Sequence, residues 1–304
     1  MAAIRYGYAT ISLPTLSLEE AARAAADAGF RGLECKLGDA PHAAGSSAST
    51  FLVGNRTTLD LDPAEGRRAA RVCADAGLEL IGVSPYVRTG DVAHLRRAFE
   101  VAAAAGAPQV RLQGPRPSPG GPGFHELFEA ALGFVEHAAA HAAEHGVRLA
   151  LEIHQHTIFP SASLAHLLVS RFDPALVGVI YDVGNMVLEG FEDHRIATEL
   201  LGPHLHHVHL KNATYVPDSD DRGAVRRHLP RWSPLDDGVV DVPAVLAHLD
   251  GIGYTGWVSL EDLSTERDPL QTLRHNARVL TAIDAPGWAP GPQGAPPRPC
   301  TAAT

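Results

Sequence analysis

Short apolar runs rich in β-branched residues alternate with longer alanine-rich stretches along almost the whole chain, and the alternation completes eight cycles. The runs predict buried strands over residues 6–11, 32–36, 78–84, 109–113, 148–153, 177–182, 206–210 and 257–261. Helical spacing between them predicts helices over 17–28, 63–76, 92–105, 124–145, 163–171, 193–201, 242–249 and 269–283. Ser17 and Glu20 stand in the register of a capping box, and Gly29, Gly77, Gly106, Gly146 and Gly253 stand where a left-handed residue would end a helix. The segment DAGFRGLE near the start returns in spirit as DGIGYTGWVSLE near the end, as repeated α-to-β units would. Eight such units predict an α/β fold, a closed (β/α)8 TIM barrel filling residues 1–284 as a single domain. An open doubly wound sheet shares the periodicity, but no glycine-rich phosphate loop follows the first run. Acids and histidines end runs five to eight, the strand ends where a barrel keeps its chemistry.

Three stretches fall outside the cycles. Residues 38–59, rich in Ser, Ala and Gly, read as a candidate lid over the second strand. Residues 213–238, with Asp218, Asp220, Asp221 and Arg222, read as a second long loop above the seventh. Residues 285–304 are rich in proline and glycine and read as a disordered tail.

The strand ends supply the chemistry. LALEIH carries Glu152, GVIYDVGN carries Asp182, HHVHLKN carries His209 and WVSLED carries Glu261. Three carboxylates and one imidazole suit one divalent cation. Oxygen-rich ligation favours Mn²⁺, then Mg²⁺ or Co²⁺, with Zn²⁺ also compatible, and the absence of thiolate argues against a structural zinc site. Any one of these acids would more ordinarily cap a helix or pair with a lysine; it is their convergence on successive strand ends that points to a metal.

Residues two apart on a strand share a face. His154 therefore points with Glu152, while His207 and Lys211 point with His209; His206 points outward. His154 and Lys211 are candidate substrate contacts, against the plainer roles of loop cap and ion-pair partner. Gln113 ends the fourth strand, and Glu34 and Lys36 the second, so all three are candidates for the pocket mouth. Tyr86 and Trp232 are candidate lid aromatics, and His137, His141 and His145 repeat at i, i+4 on what reads as a solvated helix.

Composition narrows the partners. A net charge of −10 without a basic stripe excludes a surface built for nucleic acid. Three scattered cysteines, Cys35, Cys73 and Cys300, fit a reducing cytosolic compartment. The opening MAAIRYGYATIS lacks the pattern of a signal peptide and no apolar run reaches membrane-span length, so a soluble, cytoplasmic protein is expected. A homo-oligomer is compatible with all of this.

The stretches LALEIH, VGVIYDVGN and HHVHLKN, and above all DGVVDVPAVLAHLDGIGYTGWVSLE, resemble the xylose-isomerase-like barrels over about residues 4–283. That group includes sugar isomerases, ketose 3-epimerases, hydroxypyruvate isomerase, inosose dehydratase and the endonuclease IV branch. The resemblance implies that Glu152 and Glu261 are both metal ligands and the acid–base pair. It implies a small polyhydroxylated substrate, enolised beside a carbonyl. Asn185 stands where the family often has a histidine, Lys211-Asn212 replaces a usual Lys-Asp, and the family's later basic residue could only be Arg222, out of register. Asn185 remains a candidate substrate contact. The endonuclease branch needs further histidines where this chain has Ser84 and Gln113. The activity expected is therefore metal-dependent isomerisation or epimerisation of a sugar, cyclitol or hydroxy-keto acid. The alternatives are a lyase on the same barrel, either a dehydratase or an eliminating deglycosidase, and a catalytically silent sugar-binding subunit.

Overall fold

The structure, a computed structural model, describes residues 4–39, 49–218 and 227–284. The expected tail with Cys300, residues 40–48 of the expected lid, and Asp220, Asp221 and Arg222 lie outside the described residues.

Parallel strands β1 (Arg5–Ala9), β2 (Gly32–Leu37), β3 (Glu79–Pro85), β4 (Gln109–Gln113), β5 (Arg148–Glu152), β6 (Val177–Asp182) and β7 (Leu205–Leu210) follow one another round a barrel. An antiparallel ribbon of β8 (Asn212–Pro217) and β9 (His228–Ser233) then leaves the wall, and β10 (Trp257–Leu260) closes it between β7 and β1. Helices α1 (Leu18–Asp27), α2 (Pro63–Asp75), α3 (Val92–Ala105), α4 (Phe124–His145), α5 (Ala162–Val169), α6 (Val183–Leu188), α7 (His194–Leu201), α8 (Val242–Gly251) and α9 (Pro269–Ile283) complete the α/β alternation. The closed TIM barrel expected from the periodicity is the fold observed. Every residue of β2 and β6 is buried, because helices cover one face of a barrel strand and packed side chains fill the other.

Local signals placed the ends well. Ser17 and Glu20 form the reciprocal capping box on α1. Gly106 and Gly146 end α3 and α4 at φ of 65° and 64°, a region in which a Cβ is strained. His137 is exposed on α4 as expected, while His141 and His145 are only partly exposed and pack on Phe99 with ring centroids 6.2 Å away.

Three departures from the sequence expectation have physical causes. β1 stops at Ala9 because Thr10–Ser12 turn into a 3-10 helix, where the Thr10 hydroxyl accepts from the Lys36 backbone N–H at 2.9 Å. The second half of the expected lid is pinned down: Asn55 Nδ2 donates to the Ile11 carbonyl, Thr57 Oγ1 to that of Thr10, and the Leu59 N–H to that of Lys36. The expected irregular loop over 213–238 contains the β8–β9 ribbon, held at its base by Asn212. The amide of Asn212 donates to the Leu235 and Val240 carbonyls and accepts from the Val240 and Ala213 N–H groups. Gly238 lies so close that a Cβ there would meet Asn212 Oδ1 at 2.2 Å. Asn212 is thus a fully satisfied staple, which accounts for an amide where the resemblance anticipates Asp. Among the described residues no helix is long and apolar enough to cross a membrane.

Candidate metal centre

Glu152 is the last residue of β5, Asp182 the last of β6, His209 the penultimate residue of β7, and Glu261 follows β10 directly. Parallel register sets Asp182 beside His209, and the Glu261 N–H donates to the Leu210 carbonyl at 3.1 Å, so the four side chains rise from neighbouring strands. Each offers a ligand atom, and the four atoms lie within 4.8 Å of one another in a buried cluster. His209 Nδ1 stands 3.3 Å from Glu152 Oε1, 3.4 Å from Asp182 Oδ2 and 3.9 Å from Glu261 Oε2. Atoms that share an ion at about 2.1 Å sit roughly 3.0–4.2 Å apart, the spacing seen here.

Glu152 Oε1, Asp182 Oδ2 and His209 Nδ1 are buried atoms that make no aligned hydrogen bond, and all three face one point. Leaving such groups unmatched is costly, so their convergence favours a divalent cation between them. Lys211 comes close, with Nζ 2.8 Å from Asp182 Oδ2, out of hydrogen-bond alignment, and bonded to Glu261 Oε2. Asp182 keeps its other oxygen for the α6 cap, accepting from the Asn185 N–H at 2.8 Å.

Beneath the cluster, His209 turns Nε2 toward Glu34, at 2.9 Å from Oε2. His207 Nε2 meets the same oxygen at 3.1 Å, and the Ser84 hydroxyl donates to Oε1. Glu34 and Lys36 therefore do not line the pocket mouth, as the strand-end count led one to expect. Glu34 is 3% exposed at the root of His209, and Lys36 Nζ folds back on the Gly38 carbonyl, Thr58 and Asp39. A carboxylate that fixes the far nitrogen of a histidine sets its tautomer and orientation, the usual second support of a ligating imidazole.

On the other flank, Arg111 Nη1 donates to Glu152 Oε2 at 2.9 Å, Gln113 Nε2 to the same oxygen at 3.1 Å, and Arg111 Nη2 to the Pro85 carbonyl. Arg111 was not singled out from the sequence. The signal was the period of two, which puts Gln109, Arg111 and Gln113 on one face of β4.

Charge partners overcome burial at most of these groups. Burial would raise Glu152, but Arg111, with His209 and His154, holds it well below the ordinary glutamate range. Burial likewise opposes ionisation of Glu34, which His209 and His207 keep well below that range. The His209 imidazolium, despite its burial, is held well above the ordinary histidine range by the charge and hydrogen bond of Glu34 and by the nearby carboxylates of Asp182 and Glu152. Burial raises Glu261 and outweighs the opposing pull of Lys211 and His209.

A cavity of about 920 Å³ opens above the cluster, and Gln113, Glu152, His154, Asn185, Lys211 and Glu261 all line it. Asp182 and His209 lie below its floor, less than 2% exposed. His154 donates from Nδ1 to the Gln155 carbonyl at 2.7 Å, which leaves Nε2 as the basic nitrogen, and burial lowers its pKa. Asn185 spends its amide N–H on the Ile153 carbonyl and keeps an unpartnered buried Oδ1. Tyr86 and Trp232 both border the cavity: Arg111 stands 4.7 Å from the Tyr86 ring centre, and Lys211 5.1 Å from that of Trp232. A second cavity, about 1000 Å³, lies at the opposite mouth among the strand starts Arg5, Glu79, Gln109 and Arg148, away from the four-donor cluster.

A family model described as xylose isomerase-like TIM barrel matches residues 22–283. The inosose dehydratase of Geobacillus thermodenitrificans is 31% identical over 136 residues, 42% of this chain and 43% of that protein, and the one from Geobacillus kaustophilus is 30% identical over 145 residues, 44% of each. The chain thus matches less than half the length of these curated relatives. Among solved structures, a xylose isomerase-like barrel from Mycobacterium smegmatis in complex with magnesium superposes with a TM-score of 0.65 at 17% identity, over 94% of this chain and 100% of that one. At that identity the likeness is one of fold.

Proposed function

The chain belongs to the xylose isomerase-like TIM barrel family, and from that premise we propose that it is a divalent-metal-dependent isomerase or epimerase. Its substrate is a small keto sugar, cyclitol or hydroxy-keto acid, enolised by proton transfer through an enediolate. The observation that carries the proposal is the set of buried donor atoms of Glu152, Asp182 and His209 that make no aligned hydrogen bond and, with Glu261, face one point under a polar cavity floor. Those four residues hold the ion, with Mn²⁺ the first choice. When bound, it supplies Lewis acidity that lowers the cost of removing a proton beside a carbonyl.

The chain's own groups do the rest. Glu152, at the end of β5, and Glu261, just after β10, approach the cage from different strands, which supports their acting as the pair that takes a proton from one carbon and returns it. The Lys211 ammonium, buried and held charged by Asp182 and Glu261 in spite of desolvation, is aimed at a developing oxyanion. Gln113, His154 and the free Asn185 Oδ1 meet substrate hydroxyls.

A second reading, a lyase, is favoured by one feature of the site. Glu152 commits Oε2 to Arg111 and Gln113 and directs Oε1 into the cage, whereas Glu261 Oε1 keeps no hydrogen-bond partner among the described residues. One free carboxylate suffices to remove the proton beside the carbonyl and return it to the departing neighbouring hydroxyl or glycosidic oxygen, which leaves as water or an alcohol. The partial likeness to inosose dehydratases agrees with that outcome.

Proton NMR in D2O, with the magnesium-loaded protein and a panel of ketoses, inososes and keto-glycosides, separates these. Deuterium at the carbon beside the carbonyl with unchanged composition is the expected result; deuterium with loss of water or an aglycone assigns the lyase. Metal uptake without exchange anywhere in the panel would leave only the silent sugar-binding subunit.

Glu34 gives a separate check on the cage. Glu34→Gln keeps the shape but removes the charge that orients His209, and manganese affinity by calorimetry should fall about 10–100-fold. An unchanged affinity would show that Glu34 only fills space.

A further inference from the structure

The cavity above the candidate metal centre has two chemistries. Its floor is polar, with Glu152, His154, Asn185, Lys211 and Glu261, and Arg88, Arg116 and Gln155 line it too, but its walls also carry a set of apolar side chains: Ile11, Phe51, Leu52, Val87, Trp232 and Leu263. These wall groups come from five separate connections, after β1, β2, β3 and β10 and on the ribbon, and so are gathered by the barrel rather than by one helix. Leu52 is 36% exposed and Phe51, Trp232 and Leu263 are half-buried, so each keeps apolar surface open at the cavity among the described residues. Uncovered apolar surface inside a deep pocket is the ordinary mark of an apolar ligand group.

Size points the same way. Pockets of roughly 300–1,000 Å³ enclose drug-sized ligands, and at about 920 Å³ this one lies near the upper end. A free hexose or inosose is smaller than such ligands and hydroxylated all round. It would satisfy the floor and leave the walls wet.

We propose that the substrate is a keto sugar carrying an aryl substituent, the ring ketone seated on the polar floor and the aryl group between Phe51, Leu52, Val87 and Leu263. This rests on the enolisation reading above and adds to it the substrate class. A cyclic ketone bearing an anomeric aryl group has the required arrangement, one hydroxylated end with a carbonyl and one flat apolar end. Trp232, whose ring reaches from Lys211 at the floor into the wall, offers the face along which the sugar passes into the aglycone.

Calorimetry of the magnesium-loaded full chain with phenyl 3-dehydro-β-D-glucopyranoside and its methyl counterpart tests this. The phenyl ligand is expected to bind at least tenfold more tightly, with the ratio falling toward one in Leu52→Asp and Phe51→Ser. Should either variant fail to fold, the ratio in the unmodified chain decides alone. Equal affinities, with both ligands exchanging deuterium beside the carbonyl, overturn the aryl assignment and leave the enolising function standing. Binding of neither ligand by a chain that holds its metal overturns both.

Discussion

Titrated with manganese, the Glu152→Gln, Glu261→Gln double variant is expected to take up no ion at concentrations that saturate the unmodified chain, and to catalyse no deuterium exchange. Each substitution keeps volume but removes one of the three carboxylates that share the cage with His209. Losing a ligand's charge should cost more than the about 10–100-fold that follows loss of an outer support. Proton competition adds a signature. Without metal the His209 imidazolium is held well above the ordinary histidine range by Glu34 and the cage carboxylates, against its burial. A metal needs the neutral Nδ1, so binding expels a proton and affinity must rise with pH up to that raised value. Calorimetry in two buffers of different ionisation enthalpy should show at least one proton released per ion bound. Uptake by the double variant equal to that of the unmodified chain would refute the four-donor cage.

Arg111→Met should destabilise the metal-free protein by about 3 kcal/mol, because it leaves the Glu152 carboxylate, 1% exposed, with Gln113 and His209 but without its guanidinium partner in the barrel interior. For a chain of this size that is a fall in melting temperature of roughly 5 °C. Arg111 depresses the Glu152 pKa against the effect of burial, so its stabilisation is full above the ordinary glutamate pKa. It is lost as pH falls from there through the depressed folded value. The variant's deficit is therefore largest near neutrality and shrinks in acid. Adding Glu152→Gln should restore most of the loss, and saturating manganese should restore part of it in Arg111→Met alone, since a cation again faces Glu152. Thermal denaturation of the four proteins in chelator and in manganese reads all of this. A deficit that neither Glu152→Gln nor metal repairs would mean that Arg111 acts through packing against Tyr86.

Much of the site was legible because strand-end positions are a local property. An apolar run that ends on an acid or histidine places that side chain at the C-terminal rim of a parallel strand. LALEIH, VIYDVGN, HVHL and WVSLED did so for Glu152, Asp182, His209 and Glu261 without reference to the rest of the chain. The same period sent His206 outward, where Nε2 meets the Pro174 carbonyl, and His207 inward. The capping box of α1 and the glycine stops of α3 and α4 were equally local.

What the sequence by itself determined is the alternation of strands and helices, their ends, and the four donors aimed at one rim, since each depends on periods of 2 and 3.6 and on caps within a few residues. Tertiary structure alone decided the partners of those donors. Glu34 lies 175 residues from His209 and Arg111 lies 41 from Glu152, and each meets its partner only because the sheet closes with a particular stagger between β2, β4, β5 and β7. The apolar walls and the β8–β9 ribbon belong to the same class, because loops from five connections share one cavity only once the barrel has brought their strands into a ring. No local period encodes that stagger. It follows from the packing of all eight strands at once, which is why the chemistry of the rim could be read along the chain while its supports and its shape could not.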